Sequence, residues 1–354
     1  MIKSRYKIIG VMSGTSLDGI DLIYASFKLN NNWEFDIHVS ETVSYNDEWK
    51  EKLKNLVVYS SEELHQIDID YTRHLASVIT DFINRHSIDE INAICSHGHT
   101  ALHQPEKKLT YQIGNMSQIA SLLNHRVVCN FRVQDVGLGG QGAPLVPIGD
   151  KLLFLEYDYC INLGGFANIS SEINKTRIAY DICPVNIVLN HYVKPLGLDF
   201  DNGGKLAAQG EINLELLDRL NTLDFYREDP PKSLGLEWVK MNVLPGIDSF
   251  NLKINTVLRT FVEHIAIQIG KAIKSNPDGT VLITGGGAYN QFLIERIRVH
   301  SKNEIIIPSK EIIEFKEALI FGFLGVLKLR NENNCLKSVT GASEDHSSGI
   351  IFLP

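Results

Sequence analysis

Residues 7–29 read KIIGVMSGTSLDGIDLIYASFKL. Lys7–Met12 is apolar and rich in branched side chains, as is Ile20–Leu29, the composition of buried strands. Between them stands SGTSLDG, a turn of small residues, and the pair predicts a β-hairpin. Outward from it, Ser61–Asn84 reads as a helix, INAICSHGH as a buried strand ending in a polar loop, and HRVVCNF as a further strand. YCINL runs into a Gly-Gly turn and is followed by the strand IAYDI. In Thr256–Lys274, Leu258, Val262, Ile265, Ile269 and Ala272 recur on one face with the 3.6-residue period of a helix. The strand VLITGGG and the apolar helix Glu317–Arg330 follow, and the tail 331–348 reads as polar loop. Strands alternating with helices predict an α/β protein.

The loop 135–147 carries Gly137, Gly139, Gly140, Gly142 and two prolines. It places a domain boundary there, giving residues 1–135 and 136–354, with part of the C-terminal helix region joining the first. Length and composition agree: 354 residues, 44% hydrophobic and 21% charged, suit two ordinary globular domains. With 34 basic against 42 acidic residues the net charge is −8, which argues against a nucleic-acid partner. The five cysteines are scattered, without a CxxC pair, and several stand in apolar runs. They read as small buried hydrophobes in a reducing compartment. The apolar run near the N-terminus is too short for a signal core or a membrane span. A cytoplasmic protein with no membrane partner is expected.

Three strands end in turns of small residues: VMSGTSLDG, INLGGFANIS and LITGGGAYN. Such turns expose backbone N–H groups and admit a close approach to the main chain, which suits phosphate oxygens. For any one turn the plain alternative is a glycine that only supplies a positive φ. The conjunction of three turns is what points to a nucleotide. Asp181, at the end of IAYD, reads either as a catalytic carboxylate at a strand end or as a helix N-cap ahead of NIVLNHY. His97, His99 and His103 form an HxHxxxH cluster, but Gly98, Thr100 and Pro105 indicate a loop and no Cys or carboxylate pair completes a metal shell. No metal-ligating set is assigned to the protein itself. Gly137–Gly142 formally fits GxGxxG, yet Ala143-Pro144 follows where a helix should begin and no clean strand precedes it, so a nicotinamide site is not expected.

GVMSGTSLDGID, SHGHTALHQP, YQIGN, GGQGAPLVP, INLGGFANIS, AYDICPVN, DNGGKLAAQG, TGGGAYN and FKEAL occur in this order along nearly the whole chain. The series resembles the anhydro-N-acetylmuramic acid kinases, of the actin/hexokinase/heat-shock-chaperone ATPase superfamily. That resemblance implies a two-domain actin-like (ribonuclease H-like) fold with an active-site cleft between the domains. It also implies ATP and Mg²⁺ as cofactors. Gly14, Thr15, Ser16, Leu17, Asp18 and Gly19 match the first phosphate loop, with Asp18 and Asp21 near the metal. Gly164, Gly165 and Asn168 match the second loop, and Gly203 and the turn Gly285, Gly286 and Gly287 match the remaining nucleotide contacts.

The implied reaction opens 1,6-anhydro-N-acetylmuramic acid with water and phosphorylates O6, a step of cell-wall recycling. Asp181 matches the general base. His97, His99, Arg132, Asp135 and Glu317 match the sugar contacts, Arg132 being suited to the lactyl carboxylate. Glu317 also opens an apolar helix, where a carboxylate is favoured by the helix dipole in any case. A homodimer fits the family. The chain departs from the family pattern at Cys183 and Val185, where small flexible residues are usual. It departs again at His99 for Gln, and at Asn115 and Asn130 for Asp. Another sugar or acid substrate of the same superfamily, or a non-catalytic ATP-binding protein, is the alternative.

Overall fold

The computed structural model describes residues 3–14 and 17–354. Thr15 and Ser16 of the first glycine turn lie outside them. The expected hairpin is present: β1 (Arg5–Ser13) pairs antiparallel with β2 (Gly19–Leu29), Lys7 opposite Ser26 and Ser13 opposite Ile20. β2 pairs in turn with β3 (Trp33–Ser44). Composition does not announce β3, because it is an edge strand whose charged and apolar residues interleave. On the other side of β1 lies β4 (Ala93–Ser96), parallel to it and wholly buried, as a strand covered on both faces must be. A separate hairpin follows, β5 (His99–Gln104) with β6 (Leu109–Ile113). β7 (Val127–Cys129) then adds parallel to β4. The C-terminal strand Ile350–Phe352 closes the edge antiparallel to β7.

The helix Ser61–Arg85 covers one face of this sheet. Ser60 and Glu63 cap it reciprocally, and Leu64, Tyr71, Leu75, Ile79 and Phe82 on its inner stripe are buried. The helix Lys310–Leu329 runs close to β1 at Gly10, where an added Cβ would lie 2.3 Å from the carbonyl oxygen of Ala318. The tail expected to be loop is more ordered than its polarity suggests. Cys335 and His346 pair as an antiparallel bridge and Asn334 bonds Leu324 O and Ser348 O through its side chain.

In the second unit β8 (Tyr159–Leu163), β9 (Phe166–Ile173) and β10 (Thr176–Pro184) form an antiparallel meander. β11 (Thr280–Thr284) and β12 (Glu304–Ile306) add in parallel on the far side of β8. The strand order β10-β9-β8-β11-β12 repeats the order β3-β2-β1-β4-β7 of the first unit, with the same directions. Both units thus carry the ribonuclease H-like sheet. The helix Ile254–Ala272 places Leu258, Val262, Ile265 and Ile269 in the core of this second sheet.

Contacts divide the chain into residues 1–153 with 315–354, and residues 154–314. The first break falls after Leu153, beyond the glycine loop where composition placed it. That loop is tied back to its own unit, Gln141 N–H bonding Thr340 O and Gly142 N–H bonding Asp135 Oδ2.

Candidate functional site

In the first unit two of the candidate sugar-binding side chains, Arg132 and His97, are wired to one another. Arg132 donates from Nε to His97 Nε2 at 2.9 Å and from Nη1 to Gly142 O at 2.6 Å. Because His97 accepts at Nε2, its proton sits on Nδ1, which donates to Gly98 O at 2.8 Å. Burial and the neighbouring guanidinium hold His97 neutral, well below its ordinary pKa. His97 is therefore a brace that orients Arg132. Among the described residues Arg132 Nη2 makes no hydrogen bond, Nε and Nη1 being the engaged atoms.

Glu317 stands near Arg132. Crowding by protein raises its carboxyl pKa, while Arg132 and Lys316 pull it down. Its side chain is nevertheless exposed. The dipole alternative for Glu317 is weak, since the helix begins at Lys310, two turns earlier.

Asp135 does something different from what its motif suggests. It is fully enclosed, with Oδ2 accepting from Gly142 N–H at 2.7 Å and Oδ1 from the Thr340 hydroxyl at 2.6 Å. Gly140 packs against it so closely that a Cβ there would meet Oδ2 at 2.2 Å. It anchors the GGQGAP loop, whose Gly142 carbonyl receives Arg132. Cys335 and His346 each bring a ligand atom within 4.8 Å of its carboxylate, a juxtaposition that no short sequence spacing reveals.

The three histidines of the HxHxxxH cluster go to three partners. His97 meets Arg132, His103 meets Thr110 at 3.1 Å, and His99 Nδ1 meets the Ser13 hydroxyl at 2.8 Å. Ser13 is the last residue of β1, next to Gly14 of the first phosphate turn. Beyond it Leu17 adopts a positive φ of 63°, Asp18 is exposed, and Asp21 accepts from the Thr42 hydroxyl at 2.6 Å. Gly19 lies against β3, where a Cβ would meet Val43 O at 2.5 Å.

The second unit brings its glycine turns together around the end of β8. Thr284 pairs with Asn162, so the two strands deliver their turns side by side. Gly285 has φ 81°, and a Cβ on it would lie 2.6 Å from Asn162 Oδ1 and 2.9 Å from Leu163 O. A Cβ on Gly287 would meet Leu163 at 2.6 Å, whereas one on Gly286 would meet nothing within 4 Å. Gly203 and Gly204 both take positive φ, and Gly204 lies against Asn290 and Phe292 just past the same turn. Gly164 and Gly165 accept from Asn186 and Val185 N–H, tying the second loop to the helix Asn186–Val193.

Asp181 lies opposite Asn168 at a bulge in the β9–β10 ladder. A bulge re-aims a side chain and is common next to active sites. The helix that follows starts after Val185 and has no side-chain cap, so the N-cap reading of Asp181 fails. Oδ2 instead accepts from Leu234 N–H at 2.8 Å. Burial raises the Asp181 pKa above the ordinary carboxylate value, and the hydrogen bond from Leu234 opposes the rise. Cys183 and Val185 are both buried in the core at this point, and Val185 has a φ of −129°. The two departures from the family pattern are thus absorbed as packing.

A family profile described as "Anhydro-N-acetylmuramic acid kinase" matches residues 6–354. Proteins named anhydro-N-acetylmuramic acid kinase are similar along their full length. That of Vibrio vulnificus (strain CMCP6) is 32% identical, covering 97% of each chain. That of Saccharophagus degradans is 33% identical over 98% of each, and that of a Sulfurovum species 30% over 100% of each. Among solved structures, the activator of the 2-hydroxyisocaproyl-CoA dehydratase from Clostridium difficile aligns over 92% of this chain and 97% of its own. Its TM-score is 0.45 at 15% identity, a similarity too loose to carry a conclusion.

Proposed function

Because this chain belongs to the anhydro-N-acetylmuramic acid kinase family, we propose that it opens 1,6-anhydro-N-acetylmuramic acid with water and phosphorylates O6 from ATP, releasing N-acetylmuramic acid 6-phosphate and ADP. The observation that carries this reading is Asp181. It is a half-buried carboxylate at a bulge, with one oxygen held by Leu234 N–H and a raised pKa. A general base needs a pKa moved toward the working pH and a free oxygen. With Oδ2 engaged, Oδ1 is the atom that takes the proton from water as that water attacks C1. The C1–O6 bond breaks, and O6 takes the γ-phosphoryl group.

ATP fits the residues present. Gly204, Gly285 and Gly287 are packed so tightly against the protein's own atoms that no Cβ fits, while Gly286 between the last two faces open space, and a tight turn that bares its backbone on one side is the kind of cradle phosphate and nucleoside require. Gly14, Leu17, Asp18, Gly19, Gly164, Gly165, Asn168, Gly203 and Gly286 complete the proposed nucleotide contacts. Mg²⁺ fits the hard oxygen donors of Asp18 and Asp21 on the first hairpin. When bound it would neutralise charge on the phosphates.

On the sugar, Arg132 binds the lactyl carboxylate through Nη2, braced by His97, while Glu317 and His99 meet hydroxyl or amide groups. Asp135 acts behind them by holding the loop. No helix among the described residues is long and apolar enough to cross a membrane, and the five buried free cysteines suit a cytoplasmic protein. A homodimer belongs to the same proposal.

The test is to incubate the protein with Mg-ATP and 1,6-anhydro-N-acetylmuramic acid, following ADP release and the mass of the sugar. A product heavier by one water and one phosphoryl group is expected. ATP binding without sugar turnover would overturn the substrate assignment.

A further inference from the structure

Ser13, Tyr45, Tyr71 and His99 form a closed cluster in the first unit, all nine-tenths or more buried. The Ser13 hydroxyl lies 2.6 Å from Tyr45 OH, 2.9 Å from Tyr71 OH and 2.8 Å from His99 Nδ1, and the two tyrosine hydroxyls are 2.5 Å apart. Four contacts of hydrogen-bond length therefore join three hydroxyls and one ring nitrogen. Each hydroxyl owns one hydrogen, so three hydrogens are available from oxygen. The fourth has to come from the imidazole.

Direction follows from one bond. Tyr71 donates to Ser13. Its hydrogen is then used, so Tyr45 donates to Tyr71, and Ser13 donates to Tyr45. Ser13 has no hydrogen left for His99, and the 2.8 Å contact is made by His99 Nδ1–H donating to Ser13 Oγ, which accepts from Tyr71 as well. The opposite tautomer would leave one of these short contacts between two lone pairs in a buried place, where an unmade hydrogen bond is costly. Burial also holds His99 neutral, its pKa lowered to about 4. Among the described residues only Nδ1 of His99 makes a hydrogen bond, and Nε2 makes none.

We infer that Tyr45 and Tyr71, acting through Ser13, are positioning residues that lock His99 as the Nδ1–H tautomer and so present Nε2 to the sugar solely as a hydrogen-bond acceptor. The group it meets is then a donor, a hydroxyl or the acetamido N–H, and never the carboxylate. This specificity rests on the proposal that His99 faces the sugar. The arrangement also ties the sugar contact to the residue that precedes the first phosphate turn.

The experiment is ¹⁵N NMR of the whole protein labelled at histidine, with the His99 resonances assigned by difference against His99→Gln. At neutral pH the wild-type spectrum is expected to show a pyrrole-type Nδ1 and a pyridine-type Nε2. A protonated Nε2 would overturn the inference whatever the kinetics. Tyr45→Phe keeps the shape of the side chain and releases the Ser13 hydrogen, whose remaining partner is His99. The tautomer should switch, and the KM for the sugar should rise about tenfold, the value of one net hydrogen bond, with the KM for ATP unchanged. In a His99→Gln background Tyr45→Phe should have little effect on the sugar KM, since the amide oxygen accepts in either case. An unchanged tautomer in Tyr45→Phe would remove the tyrosines from the device. A wild-type sugar KM in His99→Ala, with the tautomer as expected, would overturn the contact with the sugar and leave the rest of the kinase reading standing.

Discussion

The cluster around Arg132 and the turns around Leu163, the proposed sugar and nucleotide contacts, are built in opposite ways. Around Arg132 the work is done by side chains in series: Thr340 and Gly142 hold Asp135, Gly142 and His97 hold Arg132, and Gly98 holds His97. Around Leu163 it is done by backbone, in turns where a side chain has no room. A site of the first kind is sensitive to hydrogen-bond chemistry, and a site of the second kind to volume. Substitutions should therefore separate the two.

The largest effect is expected where the contrast breaks down, at Asp181, a side chain on the backbone-built side. Asp181→Asn should lower kcat about 10²–10⁴-fold, the usual scale of general-base catalysis, with folding intact because Asn can still accept from Leu234. A general base works as the ionised carboxylate. A raised pKa means that the rate falls away, as pH drops, at a higher pH than an ordinary carboxylate would set. That acid limb should vanish from the residual rate of the Asn variant. A pH–rate profile identical in shape in both proteins would assign the base elsewhere.

Arg132→Ala comes next. Losing a charge-assisted hydrogen bond costs about 1.5–3 kcal/mol, so the KM for the sugar should rise about 10- to 100-fold. The KM for ATP should stay within a factor of two. Equal losses for both substrates would show that the cluster is not specific to one of them.

Gly285→Ala tests the volume rule. Strain at positive φ costs about 1–3 kcal/mol before the clash with Asn162 is counted, so thermal stability and ATP affinity should both fall. A fully stable variant would mean that the turn has other conformations open to it. Asp135→Asn should cost about 1–3 kcal/mol, because its amide can accept from Gly142 or from Thr340 but not from both. The readout is a lowered melting temperature together with a raised sugar KM. Gly286→Ala is the smallest change: with open space around it and no positive φ, stability should stay within about 0.5 kcal/mol. A selective loss of ATP affinity there would show that the open side of the turn faces the nucleotide.

Much of this was legible beforehand, for a definable reason. The first hairpin, the helix at 61–85 and the helix at 254–272 follow from local patterns, because apolar periodicity and capping act within a few residues. The glycine turns were equally visible, since a missing side chain is a property of the residue itself. β3 was not visible, because an edge strand buries too little for its pattern to stand out. The roles inside the sugar cluster were hidden as well. Asp135 reads as a ligand contact in its motif, yet Thr340, some two hundred residues away, claims one of its oxygens.

The sequence alone determined the family, the α/β class and the glycine turns, which depend on residue identity and near neighbours. Tertiary structure decided that Asp181 caps no helix, that Asp135 faces inward, that His97 braces Arg132, and that His99 meets Ser13. Each of these depends on a partner distant in the chain. A hydrogen bond between distant residues leaves no trace in local spacing, because it exists only after the fold has closed the loop between them.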